Sequence, residues 1–125
     1  MFQDGNAEAA LDLYASVFPK FKVVSMDKYG SDSDTPDLIK IAEIDFDGQQ
    51  LIVIDSPMRH AFNFTPSVSL FVNFGDAADL DRAFGKLADG GAIMMPLDDY
   101  GFSLRFGWLS DAFGVSWQLN LPRSQ

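Results

Sequence analysis

Hydrophobic and polar positions change their period along the chain in a regular way. After Asn6, a residue type suited to capping a helix, Ala10, Leu11, Tyr14, Val17 and Phe18 recur at three- and four-residue spacings and predict a helix over 7–18. Glu8 and Asp12 suit the positive N-terminal half of that helix, and Pro19 stops it. Residues 22–29 (KVVSMDKY) and 38–46 (LIKIAEIDF) alternate and predict strands, separated by the polar, turn-rich stretch 30–36. Asp47-Gly48 predicts a hairpin turn, with 50–55 returning as the partner strand. Residues 56–66 hold two prolines and no steady period, and so connect rather than pair. A strand over 67–74 follows, then a helix over 76–88 with Leu80, Ala83, Phe84 and Leu87 as its buried face and Gly90-Gly91 at its end. Strands over 92–97, 102–109 and 115–121 complete the chain, with a turn at 110–114.

Residues 1–4 read as the end of a strand, so the order is strand, helix, three strands, a connection, and the same again. This predicts one α+β domain of two βαβββ modules: 1–56, a connection at 57–66, and 67–125. The repeat also shows in residues. Phe2-Gln3-Asp4 opens the first helix and Phe74-Gly75-Asp76 the second, with the two aspartates 72 apart. Lys28-Tyr29-Gly30 and Asp99-Tyr100-Gly101 recur with their glycines 71 apart.

Composition narrows the function. Nine Lys and Arg against eighteen Asp and Glu give a net charge of −9, too few cations to neutralise the phosphates of a nucleic acid or to dock on an anionic membrane. The absence of cysteine removes disulfides, thiolate catalysis and Cys-ligated metals. The N-terminus does not read as a signal peptide, and the longest apolar run, at 51–54, falls far short of the ~20 residues that cross a bilayer. A cytoplasmic protein whose partner is a small molecule is the expectation.

Twelve phenylalanines supply aromatic area for a core or an apolar pocket. Phe62, Phe64, Phe71, Phe102, Phe106, Trp108 and Trp117 are candidates for the pocket wall, although apolar strand residues more often pack on helices. Trp108 and Phe113 flank a turn and suit a rim or a dimer contact. Asp55, Ser69, Asn73, Gln118 and Asn120 are polar residues on apolar strands. They face either a pocket, where they would orient a ligand, or solvent. Ser69 shares a face with Asn73, and Gln118 with Asn120, but a period of two does not say which face is open. Ser69, Phe71, Asn73, Trp108, Gln118 and Asn120 are the expected ligand-binding set. His60 is the only histidine, beside Arg59 in the connection. It is either an exposed loop residue or, with Arg59, a group at a pocket mouth that orients an anion. Asp55 and His60 are the acid–base candidates.

The stretch from Phe2 to Ala10 (FQDGNAEAA) with Tyr14 and Phe18-Pro19, the Asp47-Gly48-Gln49 turn, Ser69 to Asn73 (SLFVN), Gly107 to Leu109 (GWL) and Phe113 to Gln118 (FGVSWQ) together resemble the glyoxalase/vicinal-oxygen-chelate superfamily. Within it they are similar to the PhnB-like branch labelled 3-demethylubiquinone-9 3-methyltransferase. The resemblance implies a curved mixed sheet, a cup with helices packed outside, and a homodimer. It also implies residues before Phe2 that complete the first strand. In metal-using members, ligands come from the first and last strands of each module. Those positions fall on Ser69, on Gln118 and, less directly, on Asp55, a poor set for a divalent ion, so neither a metal nor another cofactor is expected. Methyl transfer is not supported by the residues, because the chain has no glycine-rich turn of the Rossmann kind. Three functions fit: a small-molecule-binding protein without catalysis, an acid–base or metal-dependent enzyme of the superfamily, and a regulatory or assembly unit.

Overall fold

A computed structural model describes residues 1–123, which form two compact units, Met1–Asn63 and Phe64 onward. The boundary falls inside the connection read from the sequence. Each unit is one helix on a small sheet, so the architecture is α+β.

In the first unit, α1 (Ala7–Val17) is followed by β1 (Phe21–Lys28), β2 (Ile39–Phe46) and β3 (Gln49–Val53), which pair antiparallel in the order β1-β2-β3. Asp47 and Gly48 both have positive φ, at 52° and 86°, which is the two-residue turn that the Asp-Gly pair predicts. Ala7, Ala10, Leu11 and Tyr14 are the buried face of α1. Ile39, Ala42 and Ile44 are buried with them, and Phe21, Phe46, Tyr14 and Phe18 pack ring against ring at 5.1–5.6 Å between centroids. Because strand side chains alternate, the row Lys22, Asp45 and Gln50 and the row Ser25, Glu43 and Ile52 lie on the opposite face.

The first strand of this unit is a single parallel bridge between Phe2 and Asp55, made by Phe2 N–H to the Ile54 carbonyl and Ser56 N–H to the Phe2 carbonyl, each 2.8 Å. Asn6 occupies the N-cap position of α1 but makes no capping bond with its side chain, contrary to the sequence expectation. Asp55 does that work from 48 residues away: its Oδ1 accepts the Ala7 N–H at 3.0 Å.

In the second unit, β4 (Leu70–Asn73), α2 (Ala77–Ala88), β5 (Ala92–Asp98), β6 (Arg105–Ser110) and β7 (Ser116–Leu121) form a sheet of order β4-β7-β6-β5. β4 runs parallel to β7 and the other pairs are antiparallel. Here the cap is conventional, Asp76 accepting the Asp79 N–H at 3.2 Å. Leu80, Ala83, Phe84 and Leu87 are buried, as their spacing predicts, against Leu109, Trp117 and Leu119. Gly107 lets α2 come close: a Cβ there would stand 2.5 Å from the Phe84 ring. Two strands are shorter than the alternation suggests, since 67–69 and 102–104 lie outside β4 and β6.

Among the described residues no helix is long and apolar enough to cross a membrane.

Candidate functional site

The register of the second sheet decides which of its faces is open. Leu70 pairs with Trp117 and Val72 with Leu119, so these residues face α2 together with Gly107 and Leu109. Phe71 then pairs with Gln118, Asn73 with Asn120, Trp108 with Gln118 and Phe106 with Asn120, all on the face away from α2. Ser69 joins them through a 2.6 Å bond to Ser116. All six residues expected from the sequence to bind a ligand therefore share one face. That common face follows from the sheet register, which the sequence pattern could not supply.

Two hydrogen-bonded groups cross this face. In one, Ser116 Oγ accepts the Trp108 indole N–H at 2.8 Å and meets Ser69, while Gln118 Nε2 donates to Ser69 Oγ at 3.3 Å. In the other, Asn120 donates to Asn73 Oδ1 at 2.8 Å and accepts from the Ser103 hydroxyl. Ser103, Ser116 and Asn120 are buried, whereas Asn73 is exposed and Gln118 half-exposed, so each group has a fixed inner end and an amide at its outer end. Ser116 and Ser103 are members that the sequence reading missed. Ser116 was legible in the same alternation as Gln118 and Asn120, whereas the strand predicted over 102–109 groups Ser103 with Arg105 and Gly107, on the other face from Asn120.

Rings stand beside the amides. Phe106 is buried and lies 5.0 Å from Phe102, 6.1 Å from Tyr100 and 6.3 Å from Phe71, centroid to centroid. Phe71 and Phe102 keep 53% and 60% of their surface exposed, so they are not the core residues that strand aromatics usually are. The turn carrying Tyr100 and Phe102 is tied down at several points. Tyr100 O–H donates to the Pro96 carbonyl at 2.5 Å, Asp99 Oδ1 accepts the Gly101 N–H at 2.8 Å, and Arg123 Nη2 reaches both Asp99 oxygens at 2.5 and 2.7 Å. The Arg123 hydrogen bond, and after it the Gly101 N–H, hold the Asp99 carboxyl below the ordinary carboxylate range.

The acid–base candidates lie in the first unit and do other work. Asp55 is 2% exposed, and its second oxygen accepts the Ile39 N–H at 3.0 Å, so both oxygens are occupied by backbone donors at the start of α1 and of β2. His60 bonds elsewhere: Nε2 is 2.8 Å from Ser56 Oγ, its backbone N–H donates to Gln3 Oε1, and its ring stacks on Phe62 at 4.8 Å. Ser56 Oγ donates to the Met58 carbonyl at 2.7 Å, which leaves the imidazole as the donor of the Ser56–His60 bond. A serine whose proton already sits on a carbonyl is not arranged as a nucleophile with His60 as its base. A cavity of about 280 Å³ adjoins, lined by Asp4, Gly5, Leu38 and 56–59, and Arg59 at its edge is paired with Asp4 at 2.6 Å. That pairing offsets the positive charge an anion would need.

The superfamily's metal positions can be tested against these contacts. Ser69 and Gln118 bond to each other, both are neutral, and Asp55 has both oxygens committed to backbone N–H groups. Among the described residues no three His, Asp or Glu side chains group so as to hold a metal ion. The residues present do not fit a divalent metal, which takes imidazole or several carboxylates. Nor do they fit the nucleotide-cofactor architecture of a doubly wound parallel sheet. Parallel pairing among the described residues is confined to β4–β7 and the Phe2–Asp55 bridge.

Comparison with known proteins gives the same relationship as the residues. A family model described as 3-demethylubiquinone-9 3-methyltransferase matches residues 1–120. A solved PhnB protein from Bacillus cereus is 43% identical over 97% of this chain and 94% of that one, with a TM-score of 0.90. The Pseudomonas aeruginosa protein PA1353 is 26% identical over 98% and 96%, with a TM-score of 0.82. A glyoxylase/bleomycin resistance protein/dioxygenase domain from Frankia shares the fold at 15% identity, with a TM-score of 0.69 over 98% and 88%. No curated protein matches.

Proposed function

The chain belongs to the 3-demethylubiquinone-9 3-methyltransferase family, of PhnB-like, glyoxalase-like fold, and from that premise we propose that it binds a small molecule on the open face of its second sheet, with no divalent metal held by its own side chains. The observation that carries this reading is the common face: Ser69, Phe71, Asn73, Trp108, Gln118 and Asn120 lie together, with exposed rings beside hydrogen-bonded amides. Apolar area supplies the binding energy, and a few fixed polar groups set orientation. The buried inner ends of the two networks hold the outer amides in place before a ligand arrives, which lowers the ordering cost of binding.

The methyl transfer named by the family's description has no support in this geometry. The homodimer expected from the sequence belongs to the same reading, supported by Val24, Ile41 and Ile52 exposed on β1, β2 and β3. Sedimentation at twice 13.8 kDa is its test.

The test of function is thermal unfolding against a panel of divalent ions and a fragment library, with elemental analysis and a side-chain NMR readout on Trp108. Fragments that raise the melting temperature and shift the Trp108 indole signal, with no stoichiometric metal, are the expected outcome. A stoichiometric metal, or hits that leave Trp108 unmoved, overturns the reading.

A further inference from the structure

The side chains that β4, β6 and β7 present on the open face of the second unit carry no formal charge: Phe71 and Asn73, Phe106 and Trp108, Gln118 and Asn120. The edge strand β5 adds one exposed carboxylate, Asp98, paired across from Phe106. The nearby arginines are engaged elsewhere. Arg123 is held on Asp99, and Arg105, whose alternation places it on the α2 side, is held on Asp81 at 2.5 Å. An anionic ligand would lose its hydration on this face and meet the Asp98 carboxylate instead of a counter-charge, which is unfavourable. A cationic ligand would lose its hydration too, against an exposed carboxylate that already accepts the Asp99 N–H, where an ion pair contributes little. A purely aliphatic ligand would cover the amides and leave their outer donors and acceptors without partners.

Resting on the binding reading above, we infer that the ligand is a planar, uncharged aromatic molecule with an amide-like edge, a lactam N–H beside a C=O. The rings of Phe71 and Phe102, exposed and set around buried Phe106, offer a surface for a flat apolar body. Primary amides at Asn73 and Gln118 each carry a donor and an acceptor, the complement of a lactam edge. Their inner bonds, Asn120 to Asn73 and Gln118 to Ser69, use part of that capacity and leave the rest outward. Recognition then divides between two parts of one face, the rings setting affinity and the amides setting which flat molecule is accepted.

The test compares four probes of similar size on the ¹⁵N-labelled full chain: 2-quinolone, which is neutral with a lactam edge, quinoline-2-carboxylate, N-methylquinolinium and phenylphosphonate. The expected result is saturable movement of the Trp108 indole and of the Asn73 and Gln118 side-chain amide signals with 2-quinolone alone. Phe102→Ala weakens that binding roughly tenfold through lost stacking. Gln118→Leu weakens it roughly fivefold through a lost hydrogen bond. Both residues are at least partly exposed, so the fold stays intact. Equal or tighter binding of quinoline-2-carboxylate, N-methylquinolinium or phenylphosphonate at the same signals overturns the ligand class while leaving the binding face standing. No response to 2-quinolone at millimolar concentration also overturns it, and the binding reading falls with it only if the fragment library leaves Trp108 unmoved as well. Movement of these signals with protein concentration alone would make the face a contact between copies, and overturns both.

Discussion

Replacing Asp55 separates a structural carboxylate from a catalytic one. Its two oxygens accept the N–H of Ala7 and the N–H of Ile39, each at 3.0 Å, in a site where Asp55 is 2% exposed. Asp55→Ala leaves two buried backbone donors unsatisfied, at ~1–3 kcal/mol each, so ~2–6 kcal/mol together. Against a total of ~5–15 kcal/mol for a domain of this kind, that is a large share. Asp55→Asn keeps one acceptor but turns an NH₂ toward the other N–H, and falls between Asp55→Ala and the parent. Asn6→Ala is the internal control. An N-cap asparagine contributes ~1 kcal/mol where its side chain caps, but Asn6 makes no such bond, and so costs under ~0.5 kcal/mol. Urea unfolding followed by far-UV circular dichroism gives the three values, compared at unchanged m. The reasoning is refuted if Asp55→Ala unfolds within ~0.5 kcal/mol of the parent, or if Asn6→Ala costs as much as Asp55→Ala, since either result removes Asp55 from the cap.

Two further perturbations follow from geometry. Gly91→Ala places a Cβ 2.1 Å from the Ser110 carbonyl oxygen, a backbone atom that cannot step aside, and costs ~2–3 kcal/mol or more in thermal unfolding. Gly85→Ala meets nothing within 4 Å inside α2 and gains up to ~1 kcal/mol from helix propensity. In acid, the turn carrying Tyr100 and Phe102 loosens. Asp99 is held below the ordinary range by Arg123 and the Gly101 N–H, so its contribution is complete above ~4 and is lost as pH falls through the lower folded value. Arg123→Gln raises the Asp99 midpoint, read by carboxyl NMR, toward the ordinary range, while Asp99 stays ionised near neutral pH. An unmoved midpoint would show that Arg123 is not its cause.

Much of the fold was legible because period and caps are local. The apolar face of α2, the Asp47-Gly48 turn and the repeated order of elements all follow from neighbouring residues, and the structure has each of them. Nonlocal bonds were not legible. The partner that caps α1 is 48 residues from the N–H it accepts, so Asp55 read as an acid on an apolar strand rather than as a cap. The same holds for the open face. Alternation grouped Ser69 with Asn73 and Gln118 with Asn120, but only the β4–β7 register, with bonds spanning 47 residues, put both pairs on one side. The strand predicted over 102–109 begins at Arg105, because Asp99, Tyr100 and Ser103 are drawn into turn and side-chain bonds that compete with a ladder.

The internal repeat sharpens the assignment of function to the second unit. Phe2 donates its N–H to the Ile54 carbonyl, and Phe74 donates its own to the Asn120 carbonyl, at 2.8 and 2.7 Å, so Ile54 and Asn120 occupy the same place in the two pairing schemes. Two residues back along each strand, Ile52 corresponds to Gln118, and their cross-strand partners Glu43 and Trp108 correspond in turn. What the pairing requires is repeated: a phenylalanine beside the last strand and a helix packed on the sheet. The open-face positions differ in kind, amide against isoleucine at two of them and indole against carboxylate at the third. Since the same pairing forms with either set, folding does not demand the amides and the indole of the second unit. Their mutual hydrogen bonds then fix a surface that folding does not require, which supports the binding face proposed above.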